Sequence, residues 1–576
     1  MPELPESIQP EQALHRLIEG LRDLAALLEI DGPNPHQARA LRGAADHLAA
    51  SELPVETRLA QPTRVPGIGP KTADVIRHIL AGGVEAARTA LAITTPPSAC
   101  DLLRVSGIGP KTAHALVHHH GIDSLQALHN ALADGTLRTV PGFGPARIER
   151  LKRDAAVLIE RQTAWPIAEV WPLAEAMGAS LRRLPGVVHA EVTGGARRLL
   201  PMCPGIEVVV AETDAAEDPP SAGLDGKHTG LASLPHRAKS ADAGSPPVHV
   251  IRTTPDTFAL RLMETTGDDT HQQVIEGLLR QAGYEWTRAG IVDSRGVPVA
   301  VSSEADIYAL IGLPYIPPEL REGRGLLCPP DRLVQRVQIQ GDLHVHTHWS
   351  DGSLSIVQAA AQAEALGYAY IAITDHSQSL AIAGGLTPER VWQQWEEIER
   401  VQSRTSVRIL RGMEVDILAD GRLDMPDELL DELDIVIASI HSAMHQPADV
   451  MTKRLLAAVR HPAVDIIGHP TGRLIGRRAA YPYDFEAVLA EAARRGVMME
   501  LNANPNRLDL SDDALRQCRA AGVLISVNTD AHHAHEFEFM AYGVRMAWRG
   551  WLTASDVLNT RPIEAVLARL HRDRQG

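Results

Sequence analysis

Between Gly341 and Gly352 the chain reads GDLHVHTHWSDG, and this stretch opens a series of nine side chains able to ligate metal. His344, His346 and Asp351 come first; His376, Glu414, His441, His469, Asp530 and His532 follow. Imidazole and carboxylate are the donors that borderline and hard divalent cations such as zinc and manganese prefer. A set this large implies a multinuclear centre, and such centres hydrolyse phosphate esters by clamping the phosphoryl oxygens and activating water. A water so activated needs no separate side-chain base. The residues alone therefore predict a metallophosphoesterase.

Nearly all of these residues close a short apolar run. IAITDHS carries His376, ILRGMEVD Glu414, DIVIASIHS His441, VDIIGHP His469, and VLISVNTDAHH both Asp530 and His532. Such runs read as buried parallel strands, and helical stretches such as IVQAAAQAEALG and PYDFEAVLAEAARRG separate them. From Gln340 onward the alternation has the rhythm of an α/β barrel. Parallel barrels place function at the C-terminal ends of their strands, where these ligands fall.

The whole chain has 576 residues, room for three or more domains. Hydrophobic content of 44% and charged content of 22% are those of a soluble globular protein, and no apolar run approaches membrane-spanning length. No apolar leader follows Met1, and Cys100, Cys203, Cys328 and Cys518 are too scattered for a disulfide framework or a zinc knuckle. A reducing, cytoplasmic setting is expected. The formal net charge of −16 excludes nucleic-acid binding through bulk positive charge. Any DNA contact must rest on small patches, backbone amides and bound metal.

Backbone devices of that kind fill the N-terminal third. Two amphipathic helical patterns lie between Pro10 and about Ala50, and three Gly-rich turns follow, each feeding a helix: VPGIGPKTADVI from Val65, VSGIGPKTAHAL from Val105 and VPGFGPARIERL from Val140. Gly67 and Gly69, Gly107 and Gly109, and Gly142 and Gly144 supply positive φ and let a phosphate approach closely. The freed amides of the following helix then face the anion. Lys71 and Lys111 stand where a cation joins that contact, and the third copy has Ala146. These turns resemble helix-hairpin-helix motifs, which bind the DNA backbone without reading sequence. His118, His119 and His120 are adjacent on a helix and do not converge, so they read as a solvated helix end.

Two helix-hairpin-helix segments followed by mixed αβ sequence resemble the bacterial family X DNA polymerases, and EADIYALIGLPYIPPELREGRG from Glu304 is similar to that family's thumb. The resemblance implies a palm strand with two aspartates separated by one residue, after a Gly-Ser and Arg-Arg phosphate-binding turn. A third aspartate lies on a neighbouring strand. The spacing puts the pair on one strand face, where they share two metal ions. The matching segment, VTGGARRLLPMCPGIEVVVA, keeps Gly194-Gly195 and Arg197-Arg198 but places Gly205 and Glu207 in the aspartate slots. His249 takes the third slot, and Asp268 puts a carboxylate where a triphosphate would lie. Gly205 offers no ligand and His249 no negative charge, so nucleotide transfer is expected to fail. Glu212 and Asp214 fall on the wrong strand face to substitute. The acidic, Pro/Gly/Ala-rich stretch from Glu212 to Pro247 reads as a flexible insertion.

The barrel pattern resembles the polymerase-and-histidinol-phosphatase (PHP) family, a distorted barrel of seven strands with three metals, and all nine ligand positions match. By that resemblance His344, His346, Glu414 and Asp530 hold one cation. Glu414 bridges to a second held by His441 and His469, while Asp351, His376 and His532 hold a third. The implied cofactors are three divalent ions, zinc and/or manganese, with His344, His346, Glu414, Asp530 and His532 carrying catalysis. His348, His445, His533 and His535 match no ligand position; Asp375 and Asp416 orient ligands from behind or form ion pairs. GHPTGRLIGRRAAYPYDFEAV and ELNANPNRLDL resemble the PHP domain attached to family X polymerases. That makes Arg473 and Arg478, and less directly Arg477 and Arg507, candidates for phosphates flanking the scissile one; the alternative is ion pairing with Asp484 or Glu486.

The expected architecture is multidomain. Helical helix-hairpin-helix regions span 1–90 and 91–162, and a degenerate α+β nucleotidyltransferase-like palm and thumb spans 163–325 with its insertion at 212–247. A distorted (β/α)7 PHP barrel spans 336–576. The expected function is repair-type, metal-dependent 3′-5′ exonuclease or 3′-end processing on gapped or 3′-ended DNA, with abasic-site cleavage as an addition and no membrane partner. Two alternatives stay open: a working family X polymerase that proofreads with its PHP domain, and a small-molecule phosphatase of the histidinol-phosphatase type.

Overall fold

The computed structural model describes residues 10–32, 35–213, 245–323 and 330–570. They form two compact units, Met1–Gln162 and Thr163–Gly576. Most of the stretch read as an insertion, together with Cys328, lies outside the described residues; the three described cysteines are free. No helix among the described residues is long and apolar enough to cross a membrane.

The first unit is helical, and its three Gly-rich turns repeat one geometry. Gly67, Gly107 and Gly142 have φ of 89°, 86° and 87°, a conformation that residues with a Cβ rarely adopt. The second glycines do something else. Gly69 and Gly109 are extended N-caps of the helices Pro70–Ala90 and Pro110–His120, each with proline in its first turn. What they contribute is an exposed, side-chain-free approach, not positive φ. In each turn one apolar residue points inward (Ile68, Ile108, Phe143) while the glycines and the first helical residues stay exposed. His118, His119 and His120 are exposed at their helix end.

The second unit begins with the palm-like sheet: β1 (Val187–Val192), β2 (Ile206–Glu212) and β3 (Val248–Thr253), with β2 in the centre. A small antiparallel sheet, Tyr284–Thr287, Gly290–Asp293 and Pro298–Val299, belongs to the thumb-like part. The barrel follows as seven parallel strands in sequence order: β4 (Gly341–Val345), β5 (Tyr370–Ile373), β6 (Arg408–Asp416), β7 (Ile435–Ser439), β8 (Ile466–Ile467), β9 (Met498–Asn502) and β10 (Ile525–Asn528). A parallel bridge between Val345 and Ala531 nearly closes the ring. Apart from Arg408 and Arg411 on β6 these strands are buried, which is why their sequences are largely apolar without a clean alternation. Apolar residues from the strand starts, including Tyr370, Leu410, Ile435, Ile466 and Met498, pack with Leu558, Val566 and Leu570 to fill the N-terminal end of the barrel. The opposite end is left for polar chemistry.

One apolar core runs from the palm-like segment, through Ile167, Val170, Leu199 and Val208, into the barrel. Two arginines of the barrel helix Met540–Arg549 add a polar bracket. Arg545 donates to Glu319 at 2.5 Å and to the Arg197 carbonyl at 2.6 Å. Arg549, only 4% exposed, donates at 2.9 Å to each oxygen of Glu322 and to Asp512, and at 3.0 Å to the Arg198 carbonyl. Replacing Arg549 with alanine removes charge-assisted hydrogen bonds from Glu322, which also accepts from Arg198, and from Asp512, and such a loss costs about 1.5–3 kcal/mol. Chemical unfolding of R549A should show a destabilisation of that order; a change within error would contradict the bracket.

Candidate metal centre

Each of the nine sequence-selected side chains emerges at or just beyond a C-terminal strand end, and the barrel brings all nine to one mouth. Glu414 is the hub. One of its oxygens lies 2.8 Å from His469 Nε2 and 3.3 Å from His441 Nε2; the other lies 2.9 Å from His376 Nδ1 and 3.5 Å from Nε2 of both His344 and His346. Asp530 stands 3.1 Å from His346 and 3.7 Å from His344. Asp351 reaches His532 at 3.4 Å, His376 at 3.5 Å and His346 at 3.8 Å. Three groups have donor atoms close enough for a common cation: His344, His346 and Asp530; His376, Glu414 and His441; and His346, Asp351, His376 and His532. His346 and His376 each join two groups, a finer sharing than the family arrangement implies. His469 and Asp530 have φ of 25° and 56°, strain of the kind that collects at functional sites.

The donors fit divalent metal. Nε2 of His344, both ring nitrogens of His346, and Nδ1 of His376 and of His469 are buried without a hydrogen-bond partner. Orphaned buried nitrogens are costly unless an ion or water meets them. A second set of carboxylates holds the imidazoles from behind. Glu500, fully buried in β9, faces His344 Nδ1 at 2.7 Å and accepts the His469 backbone N–H at 2.6 Å. Asp416 faces His441 Nδ1 at 2.5 Å. Such contacts fix the ring that points its other nitrogen at a metal. Asp375 touches no imidazole; it accepts from Thr347, Ser350 and Gln394 and so shapes the segment leading to Asp351. Glu500 escapes a reading of the sequence, although a carboxylate inside the apolar run VMMELN is a signal that it serves something buried.

Charge in this cluster is shared among acids and bases. Burial alone would depress the imidazoles, but Glu414 and Asp351 push His376 up to about 10. Against the same burial, Glu414 and Asp416 raise His441 to about 9, and Asp351 and Asp530 raise His532 to about 9. His346 goes the other way, to about 3, through burial and the neighbouring His532 and His376. Burial opposes ionisation of Glu414 and Asp530, yet the surrounding histidines hold both well below the carboxylate range.

The palm-like slots look different. Glu207 pairs in register with His249 across β2 and β3. Its carboxylate turns into the Gly194–Gly195 turn, so close that a Cβ on Gly194 would lie 1.6 Å from it. Burial raises the Glu207 carboxyl, opposed by His249, Arg198 and the Gly195 N–H. A Cβ on Gly205 would meet the Pro247 carbonyl oxygen at 2.6 Å, so even alanine needs a backbone shift there. Arg197 is forked onto Glu304 at 2.7 and 2.8 Å, and Arg198 donates to the Thr266 carbonyl at 2.6 Å and to Glu322 at 3.3 Å. Asp268, expected beside a triphosphate, has a structural role in the fold. It caps the helix Asp269–Gln281 through the His271 N–H and holds the Gly323 N–H.

Of the arginines considered for phosphate, Arg473 donates to the Arg507 and Leu508 carbonyls, and Arg478 to the Gly472 carbonyl at 2.9 Å. Arg507 lies 3.7 Å from Asp530 with Nη1 buried and unpartnered, which sets it beside the centre. None of them pairs with Asp484, whose side chain caps the helix Phe485–Arg495. Lys71 and Lys111 are exposed beside their turns. The residues expected to be bystanders, His348, His445, His533 and His535, are exposed.

Comparison with known proteins agrees with this layout. A helix-hairpin-helix domain model matches residues 13–85, a SAM-like helix-hairpin-helix tandem 101–156, a DNA polymerase beta thumb 261–322 and a PHP domain 342–504. The chain is 33% identical over 574 residues to DNA polymerase/3′-5′ exonuclease PolX of Bacillus subtilis (strain 168), covering 97% of this chain and 99% of that one. Shorter relatives include a probable phosphatase of Thermoanaerobacter sp. (strain X514), 32% identical over 230 residues, which cover 38% of this chain and 89% of that protein. The probable phosphatase YcdX of Escherichia coli O81 (strain ED1a) is 33% identical over 214 residues, 34% of this chain and 81% of its own.

The raised imidazoles give the centre a pH signature. In the metal-free protein, His376, His441 and His532 carry protons that are held above their ordinary value of 6.5. Their contribution to stability is full below pH 6.5 and fades as pH rises towards their folded values of about 9 to 10. Thermal melting of chelator-stripped protein should therefore fall between pH 6.5 and about 9, and added Mn²⁺ or Zn²⁺ should restore it, because metal replaces those protons. A melting temperature that ignores both pH and metal would contradict the assignment.

Proposed function

The chain belongs to the bacterial family X DNA polymerases that carry a C-terminal PHP domain, and from that membership we propose that it is a metal-dependent 3′-5′ exonuclease or 3′-end-processing phosphoesterase whose palm no longer incorporates nucleotides. One contrast carries the proposal. The barrel mouth gathers nine metal donors, whereas the palm slots at Gly205, Glu207 and His249 hold neither a carboxylate set nor open phosphate-binding arginines.

In this reading three divalent ions, zinc or manganese, are held by His344, His346 and Asp530, by Glu414 with His376, His441 and His469, and by Asp351 with His346, His376 and His532. Such ions supply Lewis-acid activation of water and charge stabilisation at the phosphoryl oxygens. The chain's own residues do the rest. Glu500 and Asp416 fix the rings of His344 and His441. Asp351 and His532, 34% and 27% exposed where the other donors are nearly buried, mark the side from which substrate enters. Arg507, 3.7 Å from Asp530, would give countercharge to a phosphate flanking the scissile bond, with Arg478 near it. The turns at Gly67–Lys71, Gly107–Lys111 and Gly142–Gly144 grip the DNA backbone through amides and, in two copies, a lysine. The regions 1–90 and 91–162 are the DNA grip, 163–325 a retained palm and thumb, and 336–576 the hydrolytic domain.

The Bacillus subtilis relative is named for both polymerase and exonuclease activity, and the shorter relatives are named as probable phosphatases. An assay on 3′-labelled gapped DNA with Mn²⁺ or Zn²⁺ separates the hydrolytic readings. Mononucleotides or a trimmed 3′ end should accumulate, and Asp530→Ala should lower the rate by at least about a hundredfold, since even outer-shell changes at metal sites cost 10–100-fold. Turnover of histidinol phosphate faster than that of DNA would instead make the protein a small-molecule phosphatase.

A further inference from the structure

A loop that supplies no metal donor spans one side of the barrel mouth. It leaves the sheet after His376, and its chain returns at Leu386, whose N–H donates to the His376 carbonyl at 2.8 Å; the Ser377 N–H donates to the Glu414 carbonyl at 3.0 Å. One flank is tied to the segment that carries Asp351. Arg390 donates to the Gly384 carbonyl at 2.7 Å and to the Trp349 carbonyl at 2.5 Å, and a Cβ on Gly384 would lie 3.3 Å from the Ser350 carbonyl oxygen. The other flank is tied to the His441 side. Ser379 donates its hydroxyl to Asp416 at 2.8 Å and its N–H to Asp424 at 2.5 Å, and the second Asp416 oxygen is the one facing His441.

Pinned from both sides, the loop crowns in a short 3-10 turn, Ala381–Ala383. Ala383 faces inward, while Ile382 is 96% exposed. Exposure alone does not single it out, because Val337 is 90% exposed on a segment with no tie to the centre. The combination does: an aliphatic side chain bare to water, on a loop whose anchors are His376, Glu414, Asp416 and the Asp351 segment.

We propose that Ile382 is a substrate-binding residue that packs against the base and deoxyribose of the terminal nucleotide when its phosphodiester lies in the barrel mouth, and so favours a nucleotide over a small diester. This rests on the hydrolytic reading above. An apolar contact of this kind accepts every base, since each has an apolar face and no donor or acceptor is read. It thereby matches an N-terminal grip that holds backbone without reading sequence.

The test compares two phosphodiesters with the full-length protein in Mn²⁺: a 3′-labelled single strand, and bis(p-nitrophenyl) phosphate, which has neither base nor sugar. Ile382→Ala should lower kcat/KM on DNA about tenfold, chiefly through KM, the scale of one apolar side chain left unburied. Ile382→Leu should restore it, and turnover of the small diester should stay within about twofold of the unsubstituted protein. Equal losses on both substrates, or unchanged DNA kinetics in Ile382→Ala, would overturn the proposal. Absence of DNA hydrolysis by the unsubstituted protein overturns the hydrolytic reading and takes this inference with it.

Discussion

Glu414 is a fully buried carboxylate with five imidazoles within 3.5 Å, and the barrel is arranged around that fact. A buried charge is tolerated only when paired and hydrogen-bonded, so the pairing set must be delivered with accuracy. Four strand ends deliver it, those of β4, β5, β7 and β8, around β6, which carries Glu414 itself. The imidazoles are in turn held by Glu500 and Asp416, and the segment leading to Asp351 is held by Asp375. The anchors of the loop carrying Ile382 belong to the same scaffold, since Asp416 holds His441 with one oxygen and Ser379 with the other.

The palm-like part answers a different constraint. Its arginines and its Gly-rich turn have internal partners: Glu304 and Glu322 for Arg197 and Arg198, and the Glu207 carboxylate for the turn. The carbonyls of the same two arginines accept from Arg545 and Arg549 of the barrel helix. Arg197 and Arg198 are thereby built into the joint between palm and barrel. A segment fixed in this way keeps its fold by supporting its neighbour.

The barrel and the nine donors were legible because type, spacing and strand-end position all pointed the same way. Helix-hairpin-helix turns were legible as well, although the sequence overstated the second glycine of each: Gly69 and Gly109 are extended caps. What the sequence concealed was long-range. Nothing near Glu500 in the chain reveals that His344, more than 150 residues earlier, is its partner. The Arg545 and Arg549 bracket is hidden for the same reason. The capping role of Asp268 was missed because its family position draws the eye to a phosphate, while its local context, after Gly267 and before a helix, also suggests a cap. Local chemistry was readable; the partner across the fold was not.

Hydrolysis at the barrel mouth, and not synthesis at the palm, is the activity proposed for this protein at a DNA 3′ end. The most direct measurement supplies gapped DNA with a labelled primer, Mn²⁺ and all four dNTPs in one reaction, beside His344→Ala. The primer should shorten with the unsubstituted protein and keep its length with His344→Ala. Elongation of the primer that survives His344→Ala would contradict the proposed activity.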